Sequence, residues 1–104
     1  MSAARLVVLY PHPTDVDAFE RDYAEHLKLV HEKTGIPAEQ KPYMVVKFAP
    51  GPDGPAPYHQ MFSLPFPSPQ AMEAALASPE LQAVAAHATQ ISTGGPPVIL
   101  LGVE

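Results

Sequence analysis

The chain has no cysteine among its 104 residues. Disulfides, thiolate nucleophiles and cysteine-based metal sites are therefore excluded. Basic residues are scarce as well: six Lys and Arg against eleven Asp and Glu, a formal net charge of -5. That leaves no electrostatic footprint for nucleic acid and no basic face for a membrane surface. No apolar run approaches the ~18 residues of a membrane span, and the short run in MSAARLVVLYPHP lacks the pattern of a secretory signal. The expectation is a cytoplasmic protein. Charge of either sign is thin, at 16% of residues against the ~25% usual for soluble domains, which suggests that a partner covers part of the surface. What is abundant is proline, 14 residues, most of it between periodic segments where turns belong. A chain of this length builds one core and one domain, taken as residues 1-104.

The longest clean helical period runs from Asp15 to Glu32. At about 100° per residue, Val16, Phe19, Tyr23, Leu27 and Val30 share one face, and His26 falls on it too. Thr14 with Asp17 resembles a capping box at its start, and Gly35 with Pro37 closes it. Arg5–Tyr10 reads as a buried strand. Pro42–Ala49 and Tyr58–Phe66 read as two more, joined by the Pro/Gly loop Pro50–Pro57. Pro65 belongs at a strand end or a bulge. Ser68-Pro69 and Ser78-Pro79 each pair a serine N-cap with proline at the first helical position, opening two short helices. After the turn Thr93-Gly94-Gly95-Pro96, Pro97–Val103 is a last strand. This order suits a ferredoxin-like βαββαβ sandwich, α+β in class, with a four-stranded antiparallel sheet and the second helix split in two. Leu6, Val8 and Tyr10 alternate with Val7 and Leu9, so both faces of the first strand are apolar although helices cover only one. A homodimer through the open sheet face is the simplest closure.

His26 carries the functional question. It is either a core histidine held by a hydrogen bond or a general acid/base at the helix–sheet seam. Tyr23, one helical step away, and Tyr10, at the end of the first strand, are the candidates to orient a substrate. Phe19, Val30, His59 and Met61 are the candidates to line its pocket. His12 reads as a surface residue in a turn, His31 as solvated, and His87 as a core-edge residue with no evident partner. Asp22 and His26 at i, i+4 lack a third ligand, and no His-Glu-x-x-His occurs, so neither a metal nor a cofactor is expected. No nucleophile turn or phosphate-cradling loop is present.

Several of these residues also form a pattern. A strand ending Leu9-Tyr10-Pro11 leads to a helix with Phe19, Tyr23 and His26-Leu27-x-Leu29-Val30. Leu76-Ala77-Ser78-Pro79-Glu80 precedes the last helix, and Gly94-Gly95-Pro96-x-Val98-Ile99-Leu100 closes the chain. It resembles an EthD-type member of the dimeric α+β barrel superfamily. The resemblance implies the ferredoxin-like fold, two sheets facing each other as a barrel, and a pocket between the main helix and the sheet with His26 on its wall. It implies a cofactor-free oxidoreductase or monooxygenase-like enzyme, or a lyase or isomerase-like one, acting on a compact aromatic or ketonic compound. The alternative it implies is a non-catalytic accessory or ligand-binding protein working with a separate oxygenase system, as in ether degradation. The Pro50–Pro57 loop and Pro65 depart from the family's usual pattern at the pocket mouth.

Overall fold

The structure, a computed structural model, describes residues 3–104. A short β-branched and aromatic run makes β1 (Ala4–Tyr10) a strand, and its two-residue alternation buries Ala4, Leu6, Val8 and Tyr10. The 3.6-residue stripe makes α1 (Val16–Thr34) a helix whose Phe19, Tyr23, His26 and Val30 are buried. Its N-cap is Asp15, not Thr14: an Asp15 carboxylate oxygen accepts from the Ala18 N–H at 3.1 Å. A carboxylate one residue before the first helical position is the better match for the orphan amides and the helix dipole. The far end stops at Gly35, whose φ of 76° lets its N–H turn back to the His31 carbonyl. Val16, in the first turn and on the same stripe, stays 48% exposed.

β2 (Met44–Lys47) and β3 (Gln60–Phe66) follow, then α2 (Pro69–Leu76), α3 (Pro79–Ile91) and β4 (Val98–Val103). Both serine caps form, with Ser68 Oγ accepting from the Ala71 N–H and Ser78 Oγ from the Leu81 N–H. The sheet order is β2-β3-β1-β4, every pair antiparallel, and α1 packs on α3. The molecule is thus a ferredoxin-like α+β fold, as the element order predicts. Pro65 sits inside β3 rather than at its end. It pairs with Arg5 on β1, but β2 stops opposite Ser63, so on that flank β3 is already an edge and a missing N–H breaks no ladder.

Register fixes the faces. Leu6 opposes Leu64, Val8 opposes Phe62 and Tyr10 opposes Gln60, so these residues look toward the helices. There they join Phe19, Tyr23, Val30, Val84, Ala88 and Ile91 in one core. Val7, Leu9, Met61, Val46 and Leu100 alternate onto the opposite face, which carries no helix. Arg5 shares that face and donates from Nη1 to Ser63 Oγ at 2.6 Å. The turn before β4 is pressed against the chain leaving β1. A Cβ added to Gly94 would overlap the His12 carbonyl, and the Thr14 N–H donates to Thr93 Oγ1 at 3.2 Å. No helix among the described residues is long and apolar enough to cross a membrane.

Candidate functional site

His26 lies where α1 meets α3, 3% exposed. Its ring tilts against Tyr23, with centroids 5.8 Å apart, and lies nearly parallel to the ring of His87, with centroids 5.1 Å apart. The two Nδ1 atoms are 2.8 Å apart. An imidazole nitrogen is either a donor or an acceptor, so one ring carries its proton on Nδ1 and the other presents a bare Nδ1 to it. Burial, and after it the charge His87 can carry, pulls the His26 pKa from 6.5 down to about 4. At neutral pH His26 is an uncharged imidazole with one nitrogen committed to His87 and Nε2 left over. His87 is only half-buried, so the pair runs from the interior toward solvent.

His26 also forms one wall of a cavity of about 50 Å³ between the sheet and the α1–α3 pair. Apart from Tyr10 and Thr34 its other walls are apolar, with Leu6, Val8 and Leu64 from the sheet and Val30 and Val84 from the helices. Roughly 10–15 Å³ holds one water and an apolar cavity of about 150 Å³ takes benzene. This space therefore admits a few heavy atoms before side chains must move.

The structure brings His26, Tyr10 and Val30 to that cavity and leaves the other candidates elsewhere. Phe19 is buried in an aromatic nest, 5.4 Å from the Tyr10 centroid and 5.6 Å from that of Tyr23. Tyr23 touches the His26 ring but lines a different groove, between α1 and β2. His59 lies one residue before β3, where its N–H donates to the Tyr10 carbonyl. Its Nε2 is 3.3 Å from Glu20 Oε1, and Lys47 Nζ is 2.5 Å from Glu20 Oε2. Burial pushes the Glu20 carboxyl up, but the hydrogen bonds and charges of Lys47 and His59 outweigh it, and the net shift is down. That triad is a polar clasp near the start of α1, apart from His26. Met61 opposes Leu9 on the helix-free face and does not reach the cavity from within this chain.

Two expectations about other histidines are corrected. His87 has a partner after all, and it is His26. His31 is not simply solvated: its Nδ1 donates to the Ile36 carbonyl at 3.0 Å and its Nε2 lies 2.8 Å from the Tyr43 hydroxyl. Sequence reasoning also passed over Gln60, which is fully buried. Its signal was present: Gln60, Phe62 and Leu64 alternate onto one face of β3, so the glutamine had to point into the core. Among the described residues, no three His, Asp or Glu side chains gather as metal ligands would.

The fold recurs in solved structures. An EthD family protein from Bacillus halodurans is similar with a TM-score of 0.80 and 22% identity, covering 98% of both chains. A dimeric ferredoxin-like protein of unknown function from Jannaschia sp. is similar at 0.66, with 13% identity over 97% of both chains. An EthD-like protein from Ralstonia eutropha is similar at 0.60, with 21% identity over 98% of this chain and 91% of the other. At these identities the likeness is one of fold. No curated protein matches the chain in sequence. Residues 11–91, from the end of β1 through α3, match the EthD domain itself, and the chain belongs to the EthD domain family.

Proposed function

We propose that the protein is a small-molecule pocket enzyme that works by proton transfer without a bound cofactor, with His26 as the base and His87 as its outlet to solvent. The observation that carries this reading is the 2.8 Å Nδ1–Nδ1 contact between a buried imidazole on a cavity wall and a half-exposed one. The substrate is a compact aromatic or ketonic compound with a single polar handle, which suits the largely apolar walls and enters only as those side chains move apart to widen the cavity. In the productive tautomer His26 donates Nδ1–H to His87. A C–H proton next to the substrate carbonyl passes to His26 Nε2 and its electron pair stays on the substrate as an enolate. The Nδ1 proton moves on to His87, which releases its Nε2 proton to solvent. His26 changes tautomer without carrying a full charge in a site that disfavours one. Tyr10 borders the substrate in this reading.

We further propose that two copies pack their helix-free sheet faces together. Met44 and Leu100 on that face are about half exposed in the single chain, and the relative from Jannaschia is described as dimeric. Met61 then belongs to the dimer interior rather than to the His26 cavity. The weak basicity that burial gives His26 favours a second reading, in which the protein binds a ligand without turning it over and serves a separate oxygenase system.

Exchange of the α-protons of 1-indanone in D2O, followed by proton NMR, separates these readings. The wild type should accelerate exchange, His26→Gln should abolish it while remaining folded, and His87→Gln should slow it and shift its pH profile. Saturable binding of indanone without exchange supports the accessory reading. If His26→Gln and His26→Ala both unfold, His26 is a core residue and the catalytic reading fails. Sedimentation velocity tests the dimer: a monomer at micromolar concentration contradicts it.

A further inference from the structure

The cavity beside His26 is long for its volume. His26, Val30 and Thr34 line it at successive fourth positions of α1, so its two ends lie about 12 Å apart along the helix at 1.5 Å per residue. At the Thr34 end it meets a groove of about 430 Å³, cut between the last turn of α1, the end of β3 and the first turn of α3. Thr34, Leu64 and Leu81 line both spaces, so the partition between them is one side chain thick there. Two of the three are held in place. Thr34 Oγ1 donates to the Val30 carbonyl at 2.6 Å, and Leu64 is buried within β3, paired with Leu6 of β1. Leu81 is only half-buried, in the first turn of α3, and a helical leucine has two χ1 wells open to it. It is the movable part of the wall.

We infer that cavity and groove are the inner and outer halves of one site, and that Leu81 sets how long a ligand the site accepts, which rests on the reading of the His26 cavity as the substrate site. The ligand class is a neutral aromatic ketone with two rings in line. With its carbonyl at His26, a one-ring ketone stops roughly midway toward Thr34. A second ring in line displaces Leu81 and enters the groove. Ile36, Pro42, Pro65 and Phe66 give that ring an apolar bed. Lys33 and Glu80 both line the groove with opposite charges, so a charged tail of either sign meets one that repels it. The groove falls within the ~300–1,000 Å³ typical of small-molecule sites, and so supplies the space that the inner half lacks.

The test is titration of the full chain with acetophenone and with para-acetylbiphenyl, read from the His26 ring nitrogens and the backbone amides. Both ketones should shift His26. Only para-acetylbiphenyl should also shift Ile36, Phe66 and Leu81, and it should bind at least about tenfold more tightly, the gain from burying most of a second ring. Ile36→Ser, which alters the groove and not the cavity, should remove most of that gain and leave acetophenone affinity unchanged. Leu81→Ala, which thins the partition, should tighten para-acetylbiphenyl more than acetophenone, and serves if the Ile36 variant does not fold. Equal affinities, shifts of Ile36 and Phe66 without His26, or shifts that fall instead on Ile99 and Leu101, where the cavity borders exposed β4, would each overturn the inference. Acetophenone at His26 would still leave the cavity reading standing. If neither ketone shifts His26, the cavity reading fails and takes this one with it.

Discussion

Lowering the pH should protonate His26 in the unfolded chain long before it does so in the folded one. The folded pKa is about 4 and the unfolded value 6.5. Above 6.5 both states are neutral and His26 contributes nothing to the pH dependence. Below it the unfolded chain takes up a proton that the folded chain refuses, and stability falls by about 1.4 kcal/mol per pH unit. Carried down to the folded pKa, the loss amounts to about 3 kcal/mol, after which this group adds no more. A domain of this size has roughly 5–15 kcal/mol in total, so the effect is large enough to measure. Urea unfolding followed by circular dichroism, from pH 8 to pH 4, gives the wild-type curve. His26→Gln, which has no imidazole to titrate, gives the reference, and the difference between them isolates His26. The Glu20 carboxyl does not confuse this window: its folded pKa is lowered from 4.5, so its contribution is intact above that value and is lost only in more acid solution. Parallel curves for the two proteins, or imidazole nitrogen shifts that titrate near 6.5, would refute the reasoning.

Three other outcomes follow from the packing. His87→Ala strands the buried Nδ1 of His26 and should cost about 1–3 kcal/mol, whereas His26→Leu leaves behind a half-exposed His87 that water can serve and should cost less; urea midpoints rank the two. Gln60→Met removes two buried polar atoms that have no hydrogen-bond partner at similar volume, and should raise the stability by about 1–2 kcal/mol, visible as a higher Tm, with no gain sinking the view that those atoms are unpaired. Gly94→Ala drives a methyl into the His12 carbonyl and should destabilise the fold by more than about 2 kcal/mol, while Gly51→Ala, with open space around it, serves as the control.

Elements whose signals are local could be read from the chain almost to the residue. The Ser-Pro pairs at 68-69 and 78-79 mark real helix starts because a cap needs only its own next three residues. The stripe on α1 predicted the burial of Phe19, Tyr23, His26 and Val30 because periodicity alone decides which side faces a sheet. Strand ends were less readable: β2 and β3 are shorter than their apolar runs, since pairing with a neighbour, not composition, sets where a ladder stops. The site itself depended on distance in sequence. His26 and His87 are 61 positions apart and meet only because α1 and α3 cover the same sheet face. His59 and Met61 looked like pocket residues from a shared parity on the third strand, but His59 precedes the strand's regular part and turns toward Glu20, leaving Met61 alone on the other face.

β4 has a consequence for how the protein must be handled. It is an edge strand that reads Val-Ile-Leu-Leu-Gly-Val without a single charge, and Ile99, Leu101 and Val103 are each about half exposed or more. A strand of that kind, with one row of backbone amides and carbonyls open, is a template for adding further strands. Pro96 and Pro97 guard one end, and at the other only Glu104 supplies a charge, 3.8 Å from Arg5 on β1. Aggregation of stressed or truncated protein should therefore nucleate at β4. A lysine in place of Leu101 should suppress it while leaving the His26–His87 pair and the α1–β2 groove untouched.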